Sequence, residues 1–435
     1  MRDGGKIQAA IQVLQDVLER RTPVKEAVRD WGKRSRFAGA RDRAWISGLV
    51  VDALRRKNSI EHHMEARGSR PLALGALKLA WGWDVRKIEE AFKDEHAPSA
   101  LQGKEREALL LAPDPSAPEH VRGDFPEWLA PHMKRAFGPD AVAEAMEMAK
   151  RAPVDLRVNT LKSDAEKAGR ALESVKGYPM PELKNGFRVA APDAIERGEA
   201  VEAIPAYSKG WVEVQDMGSQ IAAAASCARP GEQVLDYCAG GGGKTIAMAA
   251  MMENKGQIFS HDIDGRRLSA LIPRIDRAGI RNVQLRHPKE NASLDDLVDK
   301  MDLVMIDSPC TGVGTWRRKP DAKWRVSEGA LKKRMEDQAM ILRQACQYVR
   351  PGSRLVYVTC SFLMEENEDQ VASFLADRDD FAAEDAADSA IRSGQLTDAG
   401  AKLVRKLKLP SGAVRLTPRT AGSDGFFMAV LRRAG

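Results

Sequence analysis

The chain has 435 residues, 43% hydrophobic and 30% charged, with Lys plus Arg at 68 against Asp plus Glu at 62. That mix excludes a disordered chain, a collagen-like fibre and a coiled-coil rod, and the length implies two or three domains. A net charge of +6 permits a nucleic-acid partner without demonstrating one.

Residues 1 to about 145 read as helices. Ile7, Ile11, Leu14 and Leu18, and later Ile46, Leu49, Val50 and Leu54, fall at helical spacing. No signal core opens the sequence and no apolar run is long enough to span a bilayer, so a cytoplasmic protein is expected. A second texture begins near Pro153, where Val154–Val158 alternates as a strand. Ser163 with Glu166 predicts a capping box for a helix running to Val175, and Phe187–Val189 predicts a short strand. This stretch, 150–207, reads as a small α+β module.

From about Gly210, taking 208–435 as one domain, strands and helices alternate. The expected strands are Gln233–Tyr237, Gln257–Asp262, Asn282–Arg286, Leu303–Asp307 and Arg354–Val358. Arg266–Ala278 and Glu328–Tyr348 are expected helices between them. The alternation predicts an α/β fold with a mostly parallel sheet, whose ligands bind beyond the carboxyl ends of the strands. Charge is uneven: 365–388 hold ten acids against one Arg, 311–333 carry +5, and 401–435 carry +7.

The first strand of this domain runs into Cys238-Ala239-Gly240-Gly241-Gly242-Gly243-Lys244-Thr245. Four glycines between a strand and a helix let a ligand approach the backbone. A P-loop would need glycine where Cys238 stands, and no G-x-G-x-x-G register fits. An adenosine site of the methyltransferase kind remains, supported by Asp262, which ends the next strand where an acid can accept ribose hydroxyls. The alternative is a tight structural turn.

Five cysteines stand at 227, 238, 310, 346 and 360, with no C-x-x-C pair. Cys310 and Cys360 sit just past the ends of two strands, beside the expected ligand loop. Cys227 and Cys346 read as structural and Cys238 as packing. A strand-end thiolate suits covalent catalysis at carbon 6 of a pyrimidine, which turns carbon 5 into a nucleophile toward a methyl donor. Asp307 stands where an acid could assist at ring N3, provided burial holds a proton on it. Thr315–Arg325, with Trp316 and Trp324 among basic residues, suits phosphate contact and base stacking, or else places its tryptophans in a core.

These strings resemble the RsmB/NOP (NSUN) family of RNA 5-methylcytosine methyltransferases, in its RsmB-like branch. The resemblance rests on Asp236–Thr245, Asp262-Ile263-Asp264, Asp307–Cys310, Lys319-Pro320-Asp321, Thr359-Cys360-Ser361 with Glu365-Glu366-Asn367, Asp424–Phe427, Leu156–Thr160 and Gln215-Asp216. Ala40–Ala44 with Leu54-Arg55 is similar to the helical, NusB-like domain of that branch. The resemblance implies a Rossmann-like class I methyltransferase domain, preceded by a small α+β RNA-binding module that includes Arg157–Thr160 and by an all-α N-terminal domain. It implies Cys360 as nucleophile, Cys310 as the residue assisting product release, and Asp307 as a contact to cofactor and base. S-adenosyl-L-methionine would lie on Cys238, Ala239, Gly240, Gly241, Gly242, Gly243 and Lys244, with Asp262 and Asp307. The implied partner is RNA, ribosomal or transfer, with no membrane, no metal and a monomeric chain.

The sequence departs from the family in two places. Gly240 and Gly241 replace the usual Ala-Pro, and Arg286-His287-Pro288-Lys289 lacks the usual adenine-contacting acid, for which Glu290 or Asn291 is the nearest substitute. Two other readings stay open at this point: a DNA cytosine-5 methyltransferase using Cys310, and a non-catalytic RNA-binding or assembly factor.

Overall fold

A computed structural model describes residues 1–192, 201–287 and 293–435, and divides the chain into two compact units. The helical unit comprises Met1–Arg151 and, from much later in the chain, Trp316–Val326. Its core gathers Ile7, Leu14, Trp31, Ile46, Leu49, Leu72 and Leu77. These positions recur at three- and four-residue spacing, so each helix buries one stripe. The late segment is built into this unit. Trp324 Nε1 donates to Leu54 O at 2.7 Å, Lys323 Nζ to Arg55 O at 2.9 Å, and Arg55 Nη2 to Arg317 O at 2.6 Å. Trp316 is 2% exposed, so its ring is a core element and not a free stacking platform.

The second unit carries two sheets. The smaller is antiparallel, of β1 (Val154–Val158), β2 (Tyr178–Pro179), β3 (Gly186–Val189) and β4 (Val212–Val214), in the order β2-β3-β1-β4. Its edge strand β4 thus comes from beyond residue 207, paired to β1 through Arg157 opposite Glu213. The helix after β1 runs Ala165–Leu172 and is capped by Asp164, whose carboxylate accepts from Lys167 N at 2.8 Å. The capping box expected at Ser163 does not form, because the neighbouring carboxylate is the better acceptor and Ser163 Oγ turns to Asp164 O.

The larger sheet contains β5 (Gln233–Asp236), β6 (Gln257–His261), β7 (Val283–Arg286), β8 (Met301–Asp307), β9 (Val349–Thr359), β10 (Phe381–Glu384), β11 (Val414–Leu416) and β12 (Phe426–Arg433). The order is β10-β12-β9-β8-β5-β6-β7, with β11 on β12. The five strands β5 to β9 run parallel, and β10, β11 and β12 add antiparallel partners. This is the mostly parallel, Rossmann-like arrangement that the strand–helix alternation predicts. Central strands such as β8 read as continuous apolar runs because both faces are covered, by clusters around Ile246, Leu268 and Met305 and around Val304, Ile306 and Leu342. The expected helix Arg266–Ala278 is instead two, Gly265–Ser269 and Ile272–Ala278, since Pro273 cannot continue the first.

The charge segregation resolves into ion pairs within this unit. Lys408 meets Asp385 at 2.6 Å, Arg433 meets Asp380 at 3.1 Å, Arg432 pairs with Glu384 and Arg415 with Glu368. Four of the eight basic residues of the C-terminal stretch thereby pair with the acidic stretch before it.

Candidate active site

The carboxyl ends of β5, β6, β8 and β9 bring the sequence-selected residues together. β5 ends at Asp236, and the chain turns through Cys238–Gly242 into the helix Gly243–Met251. Gly240 and Gly242 have φ of +53° and +78°. At Gly242 a Cβ would lie 1.9 Å from Leu271 Cδ1, so this turn needs glycine both for conformation and for space. Asp262, just past β6, is 4% exposed and ties the turn down. Its carboxylate accepts from Gly240 N and from Asp264 N, each at 2.8 Å. Arg267 Nη1 stands 3.6 Å from the same carboxylate, which with about four lone-pair sites keeps acceptor capacity for a hydroxyl. Ile263 follows it and is 89% exposed, a large apolar side chain beside the loop. The sequence reading quoted Ile263 only as part of a string; exposure is a property that the string does not display.

Asp236 is fully buried, accepts from Thr245 Oγ1 at 2.6 Å, and has one oxygen, Oδ1, without a hydrogen bond. Burial, opposed by the Thr245 hydrogen bond and reinforced by the nearby Asp307, pushes its carboxyl up to about 7. Burial first, and then the surrounding carboxylates of Asp236, Asp262 and Asp307, holds the Cys238 thiol well above its ordinary range. Cys238 therefore stays protonated and packs beneath the loop, against the core that includes Val304 and Tyr357.

Lys244 is 5% exposed, and its Nζ meets Asp307 Oδ2 at 2.7 Å. This ion pair joins the glycine-rich turn to the end of β8. Asp307 lacks the deep burial that its expected role supposed: its side chain is 37% exposed and paired with an ammonium.

Past β8 and β9 the two thiols of Cys310 and Cys360 approach to 3.4 Å, both free. The Cys360 hydrogen bond, then burial, raises the Cys310 thiol well above its ordinary range. Each cysteine loop is held by residues that the sequence offered only as strings. Glu366 is fully buried and accepts from Thr311 N at 2.7 Å, Thr311 Oγ1 at 2.5 Å and Gln338 Nε2 at 3.1 Å. Gln338 also donates to Pro309 O at 3.0 Å. Asn367 accepts from Thr359 Oγ1 at 2.6 Å and donates to Ser361 O at 3.0 Å, bracketing Cys360. Behind the pair, a Cβ on Gly314 would lie 2.3 Å from Gly425 O and 2.8 Å from Cys360 O, so these backbones meet only because residue 314 has no side chain. Cys227 and Cys346 are buried away from this cluster.

Residues 225–432 match the family described as 16S rRNA methyltransferase RsmB/F. That match covers the part of the chain that carries the site. A probable ribosomal RNA small subunit methyltransferase B of Synechocystis is 26% identical over 98% of this chain and 99% of its own length. Ribosomal RNA small subunit methyltransferase B of Klebsiella pneumoniae is 31% identical over 63% of this chain, which spans 62% of that relative's length. Among solved structures, PH0851 superimposes with a TM-score of 0.74 at 22% identity over 99% of both chains. NSun6 from Pyrococcus horikoshii, solved with SFG, gives a TM-score of 0.58 at 21% identity over 72% of this chain and 99% of its own.

The two departures noted in the sequence have a structural setting. Gly240 takes the left-handed conformation within the turn. At the end of β7, Arg286 pairs with Asp296 at 2.6 Å and lies over the Phe259 ring, while Pro288, Lys289, Glu290 and Asn291 lie outside the described residues. Arg157 and Asn159, expected in an RNA-binding module, face inward. Arg157 Nε donates to Gln215 Oε1 at 2.8 Å, and the fully buried Asn159 donates to Gly210 O and Ala278 O at 2.9 and 2.8 Å. Their visible work is to fasten β1 of the small sheet to neighbouring elements within the same unit.

Proposed function

We propose that this rRNA methyltransferase-family chain methylates carbon 5 of a cytosine in ribosomal RNA, using S-adenosyl-L-methionine, with Cys360 as a covalent nucleophile at carbon 6. The observation that carries this reading is the pair of thiols 3.4 Å apart at the ends of adjacent strands, next to the Asp307–Lys244 ion pair of the glycine-rich turn. The residues present suit a nucleoside ligand. Gly241 and Gly243 leave room beside the turn, where a Cβ would meet nothing nearer than 3.5 Å, Asp262 has acceptor capacity for a ribose, and Ile263 offers an apolar face for a base. When bound, S-adenosylmethionine supplies an electrophilic methyl group.

The chain's own residues then have distinct tasks. The Cys360 thiolate adds to carbon 6 of a cytosine displaced from its stack, and the electron pair passes to the ring. Asp307, held by the Lys244 ammonium at 2.7 Å, is the residue assigned to contact the base beside the ring nitrogen. After methylation, loss of the carbon 5 proton to a base expels Cys360, restoring the aromatic ring. Cys310 keeps its proton at neutral pH, which suits a residue acting on the adduct and does not suit a nucleophile.

The test is two variants incubated with ribosomal RNA and S-adenosylmethionine. Cys360→Ala should form neither methylated product nor adduct. Cys310→Ala should accumulate a protein–RNA adduct that survives a denaturing gel. Normal turnover by Cys360→Ala, or normal turnover without adduct by Cys310→Ala, would overturn the two-cysteine scheme.

A further inference from the structure

The glycine-rich turn is supported from outside by a charged network that reaches across from the small sheet. Glu213 on β4 is 2% exposed and holds two guanidinium groups, Arg274 Nη2 at 3.0 Å and Arg277. Arg274 donates its other arm, Nη1, to the carbonyl of Gly241. A second route runs in parallel. Gln215 takes the Arg157 Nε–H on its Oε1 at 2.8 Å and donates through Nε2 to Gly243 O at 3.3 Å and to Ser219 Oγ at 3.2 Å. Two carbonyls of the turn, at 241 and 243, are thus held by side chains whose own orientations are fixed by buried partners.

The turn needs such support. Four successive glycines lose more conformational freedom on ordering than any other sequence of this length. The first half of the turn is held by three bonds, Ala239 N to His261 O, Gly240 N to Asp262 Oδ2 and Gly242 N to Ala239 O, each at 2.8 Å, and none of them fixes Gly241 itself. Gly241 lies outside the left-handed region, and a Cβ built on it meets only Arg274 Nη1, at 3.5 Å. Its conformation would accept a side chain, so the order at this position comes from Arg274 and not from the residue itself.

We infer that Arg274, anchored by Glu213, and Gln215, anchored by Arg157, are positioning residues that hold the glycine-rich turn in its ligand-receiving form. The inference rests on the proposed adenosine site. Arg274 touches the turn's backbone carbonyl, so the expected effect is on the order of the turn and on every ligand that the turn receives.

The experiment compares the wild type, Arg274→Met, and Arg274→Met with Gly241→Pro. Arg277 still neutralises Glu213 in the variants, so the fold is expected to persist, and thermal unfolding checks this. The first readout is amide hydrogen exchange of the peptide spanning the turn, without ligand. The second is calorimetric affinity for S-adenosylhomocysteine and for methylthioadenosine, which lacks the amino-acid end. Arg274→Met should speed exchange in the turn and weaken both ligands by about tenfold, the worth of one charge-assisted hydrogen bond. Proline at 241, which narrows the turn's freedom directly, should restore both. Unchanged exchange would overturn the inference. So would a loss confined to S-adenosylhomocysteine, which would make Arg274 a contact to the amino-acid end instead. If the wild type bound neither nucleoside, the proposed function would fail, while the exchange comparison would still decide the role of Arg274.

Discussion

Replacing Glu366 by Gln tests whether the Cys310 loop is placed by this buried carboxylate. Three hydrogen bonds converge on it, from Thr311 N, Thr311 Oγ1 and Gln338 Nε2, and the side chain is fully buried. Hydrogen bonds to a charged group contribute about 1.5–3 kcal/mol each. Gln keeps the shape but makes the remaining acceptor neutral and turns one oxygen into a donor. The Thr311 hydroxyl can rotate to accept from it, so the loss is partial, about 2–4 kcal/mol in all. Because the same bonds fix Thr311 beside Cys310, the thiol pair should lose its 3.4 Å register. A displacement of about 1 Å at a reacting group costs on the order of a hundredfold in rate. Urea unfolding would measure the first effect and methyl transfer to ribosomal RNA the second. A Glu366→Gln protein within about 0.5 kcal/mol of the wild type, an ordinary surface effect, and turning over at the wild-type rate would refute the argument.

Gly242→Ala should be costly, since φ is +78° and the new Cβ would lie 1.9 Å from Leu271 Cδ1. A loss of about 2–4 kcal/mol from strain and overpacking is expected in denaturant unfolding, with weaker binding of S-adenosylhomocysteine. For Asp236, the folded-state carboxyl is raised to about 7 from an ordinary 3.8, so the native protein binds this proton more tightly than the unfolded chain does. Its contribution to stability is therefore complete below about pH 4, falls as pH rises toward 7, and is flat above. Unfolding free energies across that window should show the slope in the wild type and lose that component in Asp236→Asn, whose amide mimics the protonated acid.

The chemistry-bearing strings and the fold class are local properties of the chain. Alternating apolar runs and helical stripes follow from local periodicity, so the parallel strands β5 to β9 and the positions of Cys310, Cys360, Asp307 and Asp262 at their ends were legible without coordinates. Glycines between a strand and a helix likewise identify a ligand turn from spacing alone. What only the tertiary structure decided depends on contacts between residues far apart in the chain. The +7 of the C-terminal stretch says nothing of its partners, and only the fold sets Lys408, Arg432 and Arg433 beside Asp385, Glu384 and Asp380. The string Thr315–Arg325 suits base stacking or a core equally, and only the fold bonds Trp324 to Leu54 and buries Trp316. The Asp307–Lys244 pair, the Glu366 and Asn367 clasps on the two cysteine loops, and the Arg274 support of Gly241 are likewise products of packing. Burial and pairing set a side chain's charge state and reach, and neither is written in the local string; they arise only when the strands bring distant residues to one end of the sheet.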